Sequence, residues 1–252
     1  MSEVLTDAQD GVLIITINRP EVRNAVNKAV AEGIAGAMER LDSDGDLSAG
    51  IITGAGGTFC SGMDLKAFLK GEFPVVKDKG FAGFVQAPPK KPLIAAVDGY
   101  ALAGGMEIAV ACDLLVANSD AQFGIPEVKR SLVAAGGGLL SLSAIIGQRM
   151  AMELALTGDF FSAQRAYEVG FVNRVTDGAA LEAAMELATS VAAGGPLALI
   201  ASKRIIKQRL DWNSSEMWEK QLEIAGPVLS SNDAKEGARA FAEKRGPVWT
   251  GS

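Results

Sequence analysis

Leu93-Ile94-Ala95-Ala96-Val97-Asp98-Gly99-Tyr100-Ala101-Leu102-Ala103-Gly104-Gly105-Met106-Glu107-Ile108-Ala109-Val110-Ala111-Cys112-Asp113-Leu114-Leu115-Val116-Ala117 is the stretch on which the fold reading turns. The opening run Leu93–Val97 is apolar throughout and closed by Asp98-Gly99, which reads as a buried strand running into a loop. Ala103 to Ala111 is small and apolar and reads as a short helix. After Cys112-Asp113, Leu114 to Ala117 reads as a second buried strand.

Working outward, the same alternation continues towards the N-terminus. Val12 to Ile17 is rich in β-branched residues and stops at Asn18-Arg19-Pro20, so it predicts a strand ending in a turn. Lys28 to about Leu41 has helical spacing and is closed by the polar cluster Asp42-Ser43-Asp44-Gly45-Asp46. Gly50 to Gly54 predicts a buried strand entering the loop Ala55-Gly56-Gly57. Towards the C-terminus the character changes. From Ala135 apolar positions recur at helical spacing through Leu156, again over Leu181–Ala193 and Leu197–Leu210, and over Glu216 to about Phe241 with interruptions near Pro227 and Asp233. The expectation is an α/β core over residues 1–195 and a helical region over 196–252.

The composition restricts what such a chain can do. It has 252 residues, 48% of them apolar, enough for a sizeable core. A formal net charge of −6 argues against nucleic acid and against an anionic membrane surface, both of which require a basic face. No apolar run approaches the ~20 residues of a membrane span, and the N-terminal segment lacks a basic-then-apolar leader. The two cysteines, Cys60 and Cys112, are too few for a disulfide framework and fit a reducing compartment, so a cytoplasmic location is expected. There is no histidine. Ser-His-Asp and Cys-His catalysis are thereby removed, and proton transfer near neutral pH falls to carboxylates, Lys, Cys or Tyr with displaced pKa values.

Two glycine-containing loops, Phe59-Cys60-Ser61-Gly62-Met63-Asp64-Leu65-Lys66 and Gly99-Tyr100-Ala101-Leu102-Ala103-Gly104-Gly105-Met106-Glu107, each follow a predicted strand and lead towards a helix. Such loops leave backbone N–H groups free at a positive helix end, where oxyanions bind; they serve equally as tight turns. Glu107 lies one turn into an otherwise apolar helix, where desolvation would raise its pKa. Glu127, in Phe123-Gly124-Ile125-Pro126-Glu127-Val128, reads either as a second acid/base group or as an ordinary first-turn glutamate complementing the helix dipole.

Taken together, Asn18-Arg19-Pro20, the two loops above, Pro92–Ala101, Gly104-Gly105-Met106-Glu107, Cys112-Asp113, Phe123–Glu127 and Leu156-Thr157-Gly158 resemble, in order and spacing, the motif series of the crotonase (enoyl-CoA hydratase) superfamily. The resemblance covers nearly the whole chain. It implies a crotonase-like spiral of ββα units with an α-helical C-terminal trimerisation region that also forms a lid over CoA. By the same resemblance, the backbone N–H groups of Met63 and Gly104 would form an oxyanion hole for a thioester enolate; one such donor is typically worth about 3 kcal/mol. Glu107 would act as base towards water adding at Cβ, and Glu127 would deliver the proton to Cα. Arg23, Ser61, Asp64, Leu65 and Lys66 would lie along CoA, with Lys66 near its adenosine, and Phe241 and Lys244 would reach the CoA of a neighbouring subunit.

The implied activity is reversible syn hydration of a 2-enoyl-CoA, with no metal or redox cofactor, CoA being part of the substrate. The implied partners are the acyl-CoA and further copies of the chain, as a homotrimer or dimer of trimers, with no nucleic acid and no membrane. Double-bond isomerisation and non-catalytic acyl-CoA binding stand as alternatives. Two segments depart from the pattern or leave it open. Where hydratases of the type form carry Pro-Gly-Ala-Gly-Gly, this chain reads Leu132-Val133-Ala134-Ala135-Gly136-Gly137-Gly138, with Ala135 at a usual glycine that helps to seat the water. The segment Ala67 to Gln86 carries Phe68, Phe73, Phe81 and Phe84, which would either line an acyl pocket or pack under a short helix.

Overall fold

The computed structural model of the chain describes residues 2–252. It begins with a hairpin of β1 (Val4–Gln9) and β2 (Val12–Ile17), turned by Asp10 and Gly11, both at positive φ (51° and 76°), as a two-residue hairpin loop requires. The sequence reading starts the first strand at Val12 and misses β1, because β1 is an exposed edge strand with only Val4 packed on the core. In α1 (Lys28–Ser43) the Asn27 side chain accepts the Val30 N–H at 2.9 Å, and Val30, Ile34, Ala37, Met38 and Leu41 form the buried face. There follow β3 (Ala49–Gly54), the single turn α2 (Leu65–Phe68), and the small hairpin of β4 (Val75–Val76) and β5 (Gly80–Phe81).

The decisive stretch folds as β6 (Leu93–Val97), β7 (Tyr100–Leu102), α3 (Gly104–Ala111) and β8 (Leu114–Asn118), followed by β9 (Gln122–Gly124). Beyond a 3-10 turn at Pro126–Arg130 come α4 (Gly138–Ile146), α5 (Gln148–Thr157), β10 (Phe160–Ser162), α6 (Ala163–Glu168), β11 (Arg174–Thr176), α7 (Ala180–Ala192), α8 (Pro196–Gln208), α9 (Met217–Leu229) and α10 (Asn232–Glu243). Two details differ from the helical periodicity. Gly147, at φ 79°, divides the run ending at Leu156 into α4 and α5. Pro227 sits inside α9 without ending it; the break comes at Ser230-Ser231, where the Ser231 hydroxyl accepts the Ala234 N–H and starts α10.

Six strands form the main sheet in the order β1-β2-β3-β6-β8-β11, all parallel except β1. A second, three-stranded sheet runs β10-β9-β7. The chain thus repeats a unit in which a main-sheet strand is followed by a short strand of the small sheet and then by a helical turn: β6-β7-α3, then β8-β9 and the turn leading to α4. This is a mixed α/β fold built of ββα units. Strand periodicity of two divides the main sheet into two faces. Leu13, Ile15, Ile52, Leu93, Ala95 and Val97 face the large core, whereas Val12, Ile51, Ile94, Ala96 and Val116 pack against Ala180, Ala184 and Ala188 of α7. Small residues on α7 let the helix approach the sheet closely. Because both faces are covered, the central strands are continuously apolar.

The last helices are tied to this core by polar links. Lys203 on α8 pairs with Asp113 at 2.5 Å and donates to the carbonyls of Pro89 and Lys91, and Lys207 pairs with the same aspartate at 2.9 Å. The carboxylate of Asp233 accepts the N–H groups of Thr250 and Gly251, holding the C-terminal segment against α10. No single helix among the described residues is long and apolar enough to cross a membrane.

One fully buried side chain binds the turn after β2 to the loop after β3. Asn24, at φ 55°, accepts the Arg19 N–H at 2.9 Å and donates to the carbonyls of Ala55 (2.8 Å) and Thr58 (2.5 Å). Asn24→Ala removes the side-chain partner of three part-buried backbone groups, and at about 1 kcal/mol each the folded state is expected to lose about 2–4 kcal/mol. Denaturant unfolding measures this; a loss below about 0.5 kcal/mol, the range of ordinary surface substitutions, contradicts the assignment.

Candidate active site

The two glycine loops meet because the first pairs with β7. Cys60 donates its N–H to Tyr100 at 2.9 Å, and Leu102 donates to the Cys60 carbonyl at 3.0 Å. From the other side, Val26 donates to the Gly62 carbonyl at 2.7 Å and accepts from the Asp64 N–H at 2.9 Å. Met63 is held between these two bonds, and among the described residues its own N–H has no acceptor. On the second loop Ala103 adopts φ 52°, ψ −127°, a conformation that L-residues hold only when their surroundings over-determine it. Its N–H is fixed on the Gly124 carbonyl at 2.9 Å. That kink starts α3 at Gly104, whose N–H is an orphan of the first helical turn. A Cβ on Gly62 would stand 3.0 Å from the Gly104 nitrogen, and one on Gly105 would stand 2.1 Å from the Cys60 carbonyl oxygen. The loops are therefore in backbone contact, and the amides of Met63 and Gly104 lie side by side at the positive end of α3. Two fixed backbone donors in this arrangement suit a developing oxyanion.

Glu107 is directed from the first turn of α3 into a cradle made by the segment after Glu127. Only 5% of the residue is exposed, and Oε1 accepts the Gly138 N–H at 3.0 Å. A Cβ on Gly136 would lie 2.7 Å from Oε2, and one on Gly138 would lie 2.9 Å from Cγ. Both positions are therefore glycine for lack of space. Burial raises the Glu107 pKa, while hydrogen bonds from the Gly138 and Gly136 amides pull it back down. Glu127 opens the 3-10 turn after Pro126, with its Oε2 buried and without a hydrogen-bond partner. Desolvation lifts its pKa to about 7, helped by the charge of Glu107 and opposed by its own backbone N–H and by Arg130. An unpaired, buried carboxylate oxygen of high proton affinity differs from an ordinary solvated first-turn glutamate.

Both glutamates and both amides border one cavity of about 650 Å³. Arg23, Ser61, Asp64, Leu65 and Lys66 also line it. Asp64 is committed to structure there: it caps α2 by accepting the Lys66 and Ala67 N–H groups and pairs with Arg19 at 3.0 Å. Burial pushes its pKa up, but those bonds win and hold it below the usual value. Phe68, Phe73 and Phe81 line the cavity, whereas Phe84 is core; each of the two readings of the aromatic segment holds for part of it. The ring of Phe81 occupies the space that a side chain on Gly104 would need.

Phe241, 88% exposed, and Lys244 are not brought to this cavity within the single chain. Ala135 lines it, while the glycines that touch Glu107 are Gly136 and Gly138. The sequence reading did not find Arg130, Leu132, Val133 or Phe160, which also line it. Phe160 arrives through the pairing of β10 with β9, where it lies opposite Gly124, and no local pattern announces a contact of that range. Cys60, directly beneath the loops, is a structural thiol: burial pushes its pKa up to about 12.

The family model for enoyl-CoA hydratase/isomerase matches residues 7–252. The chain is 42% identical over 253 residues to enoyl-CoA hydratase EchA19 of Mycobacterium tuberculosis, covering 97% of this chain and 95% of that one. To mevalonyl-coenzyme A hydratase sidH of Aspergillus fumigatus it is 36% identical over 249 residues, covering 94% and 91%. A crystal structure of an enoyl-CoA hydratase from Mycobacterium tuberculosis H37Rv superposes with a TM-score of 0.98 at 58% identity, covering 100% of each chain.

The raised Glu127 pKa gives a pH-dependent stability. With an unfolded value near 4.5 and a folded value about 7, the folded state binds the proton more tightly, so Glu127 costs nothing below about pH 4.5. The penalty grows as pH rises towards 7 and is constant above. Glu127→Gln removes it, and after allowance for partial solvent access the variant is expected to be about 1–3 kcal/mol more stable than wild type at pH 8. At pH 4.5 the two should coincide. Denaturant unfolding at both pH values measures the difference, and an equal gain at both contradicts the displaced pKa.

Proposed function

The chain belongs to the enoyl-CoA hydratase/isomerase family, and from that premise we propose that it is a hydro-lyase on acyl-CoA thioesters, adding water reversibly and in the syn sense to a 2-enoyl-CoA to give the 3-hydroxyacyl-CoA. One observation carries the reading: two carboxylates whose pKa values are both raised face one cavity beside two orphan backbone amides. A pure binding protein would gain nothing from keeping two carboxylates there, since desolvating them is unfavourable.

The chemistry follows from the different surroundings of the two groups. Glu107, with amides pointing at its carboxylate, is the better anion and takes a proton from the water as its oxygen bonds to Cβ. The electrons of the carbon–carbon double bond move onto the thioester oxygen, where the N–H groups of Met63 and Gly104 receive the charge. Glu127, half protonated near neutral pH, delivers its proton to Cα as the enolate collapses. Exchange with solvent returns the proton from Glu107 to Glu127. Both new hydrogen and new oxygen come from the side of the acyl group facing the carboxylates, which gives syn addition. The addition leaves the overall oxidation state unchanged, so its stoichiometry calls for no electron carrier, and the steps above use no metal. Arg23 and Lys66 supply positive charge on the first-loop side, suited to CoA phosphates in an otherwise acidic protein.

Self-association as a homotrimer or dimer of trimers belongs to the same reading. Ile206, Leu210, Trp218, Leu222 and Leu229 on and between α8 and α9 are exposed, and α9 has no buried residue at all. An apolar surface of this kind is what an interface covers. The family resemblance implies that in such an assembly Phe241 and Lys244 reach a neighbour's CoA. Light scattering is expected to give the mass of three or six chains; a monomer at micromolar concentration contradicts this part.

Turnover is tested with crotonyl-CoA and longer enoyl-CoAs, followed by loss of the conjugated thioester absorbance. Glu107→Gln and Glu127→Gln are each expected to lower kcat by on the order of a thousandfold. A wild type that hydrates none of the esters, or a Glu127→Gln variant as active as wild type, defeats the reading. Conversion of 3-enoyl-CoA alone would point to isomerisation instead.

A further inference from the structure

Arg19, in the turn after β2, does not line the cavity, yet its side chain is only 13% exposed and each of its three nitrogens faces an oxygen. Nη1 donates to the Ala25 carbonyl at 2.6 Å, and Nη2 donates to the Asp64 carboxylate at 3.0 Å. Nε faces Glu3 at 3.3 Å as an ion pair without a directed hydrogen bond. Ala25 and Asp64 adjoin Val26 and Met63, the two residues joined by a parallel bridge. The guanidinium therefore grips both sides of the clip that holds Met63.

A planar trans peptide points its C=O and its N–H in opposite directions. The Ala25 carbonyl that receives Nη1 belongs to the same peptide as the Val26 N–H, which donates to the Gly62 carbonyl at 2.7 Å. The Gly62 carbonyl belongs in turn to the same peptide as the Met63 N–H, the donor without an acceptor beside the cavity. A permanent positive charge thus heads a line of two hydrogen-bonded peptides that ends on the Met63 amide. Val26 is fully buried and Gly62 is buried, so water does not interrupt the line. Hydrogen bonds in series polarise one another, and in a low dielectric each N–H becomes a stronger donor when its own carbonyl is bound. The Gly104 amide differs in this respect: the carbonyl of its peptide, that of Ala103, accepts a neutral backbone donor, the Glu107 N–H at 3.1 Å.

We infer that Arg19 is a positioning residue for the oxyanion hole, which fixes the Ala25-Val26 and Gly62-Met63 peptides and polarises the Met63 N–H through them. The planar fork of arginine lets Nη1 and Nη2 serve the Ala25 carbonyl and Asp64 at once, which the compact ammonium of lysine does not reproduce. Glu3 and Asp64 hold the guanidinium in place and stand outside the line of peptides. The inference rests on the oxyanion role given to the Met63 amide in the hydro-lyase reading above.

The test reads the C=O stretch of butyryl-CoA isotopically labelled at the carbonyl carbon, a saturated ester that binds without turnover, by infrared difference spectroscopy. The proteins compared are wild type, Asp64→Asn, Arg19→Lys and the double variant Arg19→Gln/Asp64→Asn, in which Asp64 is not left as an unpaired charge. Wild type should lower the frequency of the bound ester relative to the free one, and Asp64→Asn should keep that downshift. In the double variant and in Arg19→Lys it should shrink by about 20–50%. In the same two variants kcat for crotonyl-CoA should fall by about 5–50-fold, less than the hundredfold or more lost with a whole oxyanion donor, while KM moves by less than about threefold. A downshift that either Arg19 variant leaves at its wild-type size overturns the inference. So does an equal loss in Asp64→Asn, which would mean that Arg19 acts only by seating the cap of α2. A wild type without any downshift removes the oxyanion role of Met63 itself. If wild type shows the downshift but hydrates no enoyl-CoA, the hydro-lyase reading fails, while the infrared comparison still decides the role of Arg19.

Discussion

Everything chemical in this molecule depends on one close approach of backbone to backbone. The Cys60 peptide exchanges hydrogen bonds with Tyr100 and Leu102, and its carbonyl presses so tightly on Gly105 that no side chain fits there. That contact fixes the second loop against the first. It makes the strained conformation of Ala103 sustainable, sets the point at which α3 begins, and leaves the amides of Met63 and Gly104 adjacent and free. Backbone donors held this way would need no reorganisation as charge develops on a bound thioester, which is the advantage the proposed chemistry draws on.

The direction of Glu107 follows from the same start of α3. A carboxylate in the first turn of a buried helix has unfavourable desolvation unless donors reach it, and the donors come from Gly136 and Gly138, 29 and 31 positions further along the chain. Those glycines are there for space and not for turn geometry alone, because a Cβ would crowd the Glu107 carboxylate at Gly136 and the Glu107 Cγ at Gly138. Glu127 receives no such help and keeps a high proton affinity. Two side chains of identical chemistry are in this way driven to different roles by what surrounds them. Ala135 borders the cavity, and with this departure from the usual glycine pattern the amides of Gly136 and Gly138 still reach Glu107.

The remainder of the fold serves to hold these loops rigid. The main sheet is covered on both faces, by the large core on one side and by the alanine stripe of α7 on the other. The loops that bear the site leave from the ends of β3 and β6, adjacent strands whose register is fixed by parallel pairing. The links from Asp113 to Lys203 and Lys207 fasten α8 to this body, while Ile206 of α8 and Trp218, Leu222 and Leu229 of α9 stay exposed on the single chain.

The sequence by itself determined the central elements and the chemistry. Short apolar runs bounded by turn residues read as buried strands, so β2, β3, β6 and β8 were legible, as were α1, α3, the helical run that folds as α4 and α5, and the helices after α6. The absence of histidine turned attention to carboxylates, and the ordered motifs separated Glu107 from Glu127. Tertiary structure alone decided the rest. Edge strand β1 and the short strands β7, β9, β10 and β11 carry too few side chains to leave a period, and exist because the main sheet and the loops offer them partners. The pocket roles of Phe160 and Arg130, the division of the phenylalanines between cavity and core, and the identity of the glycines that seat Glu107 were likewise invisible. Each depends on a contact between residues distant in the chain, and such contacts leave no local pattern, because what selects the residue is the space and charge of a neighbour that arrives only on folding.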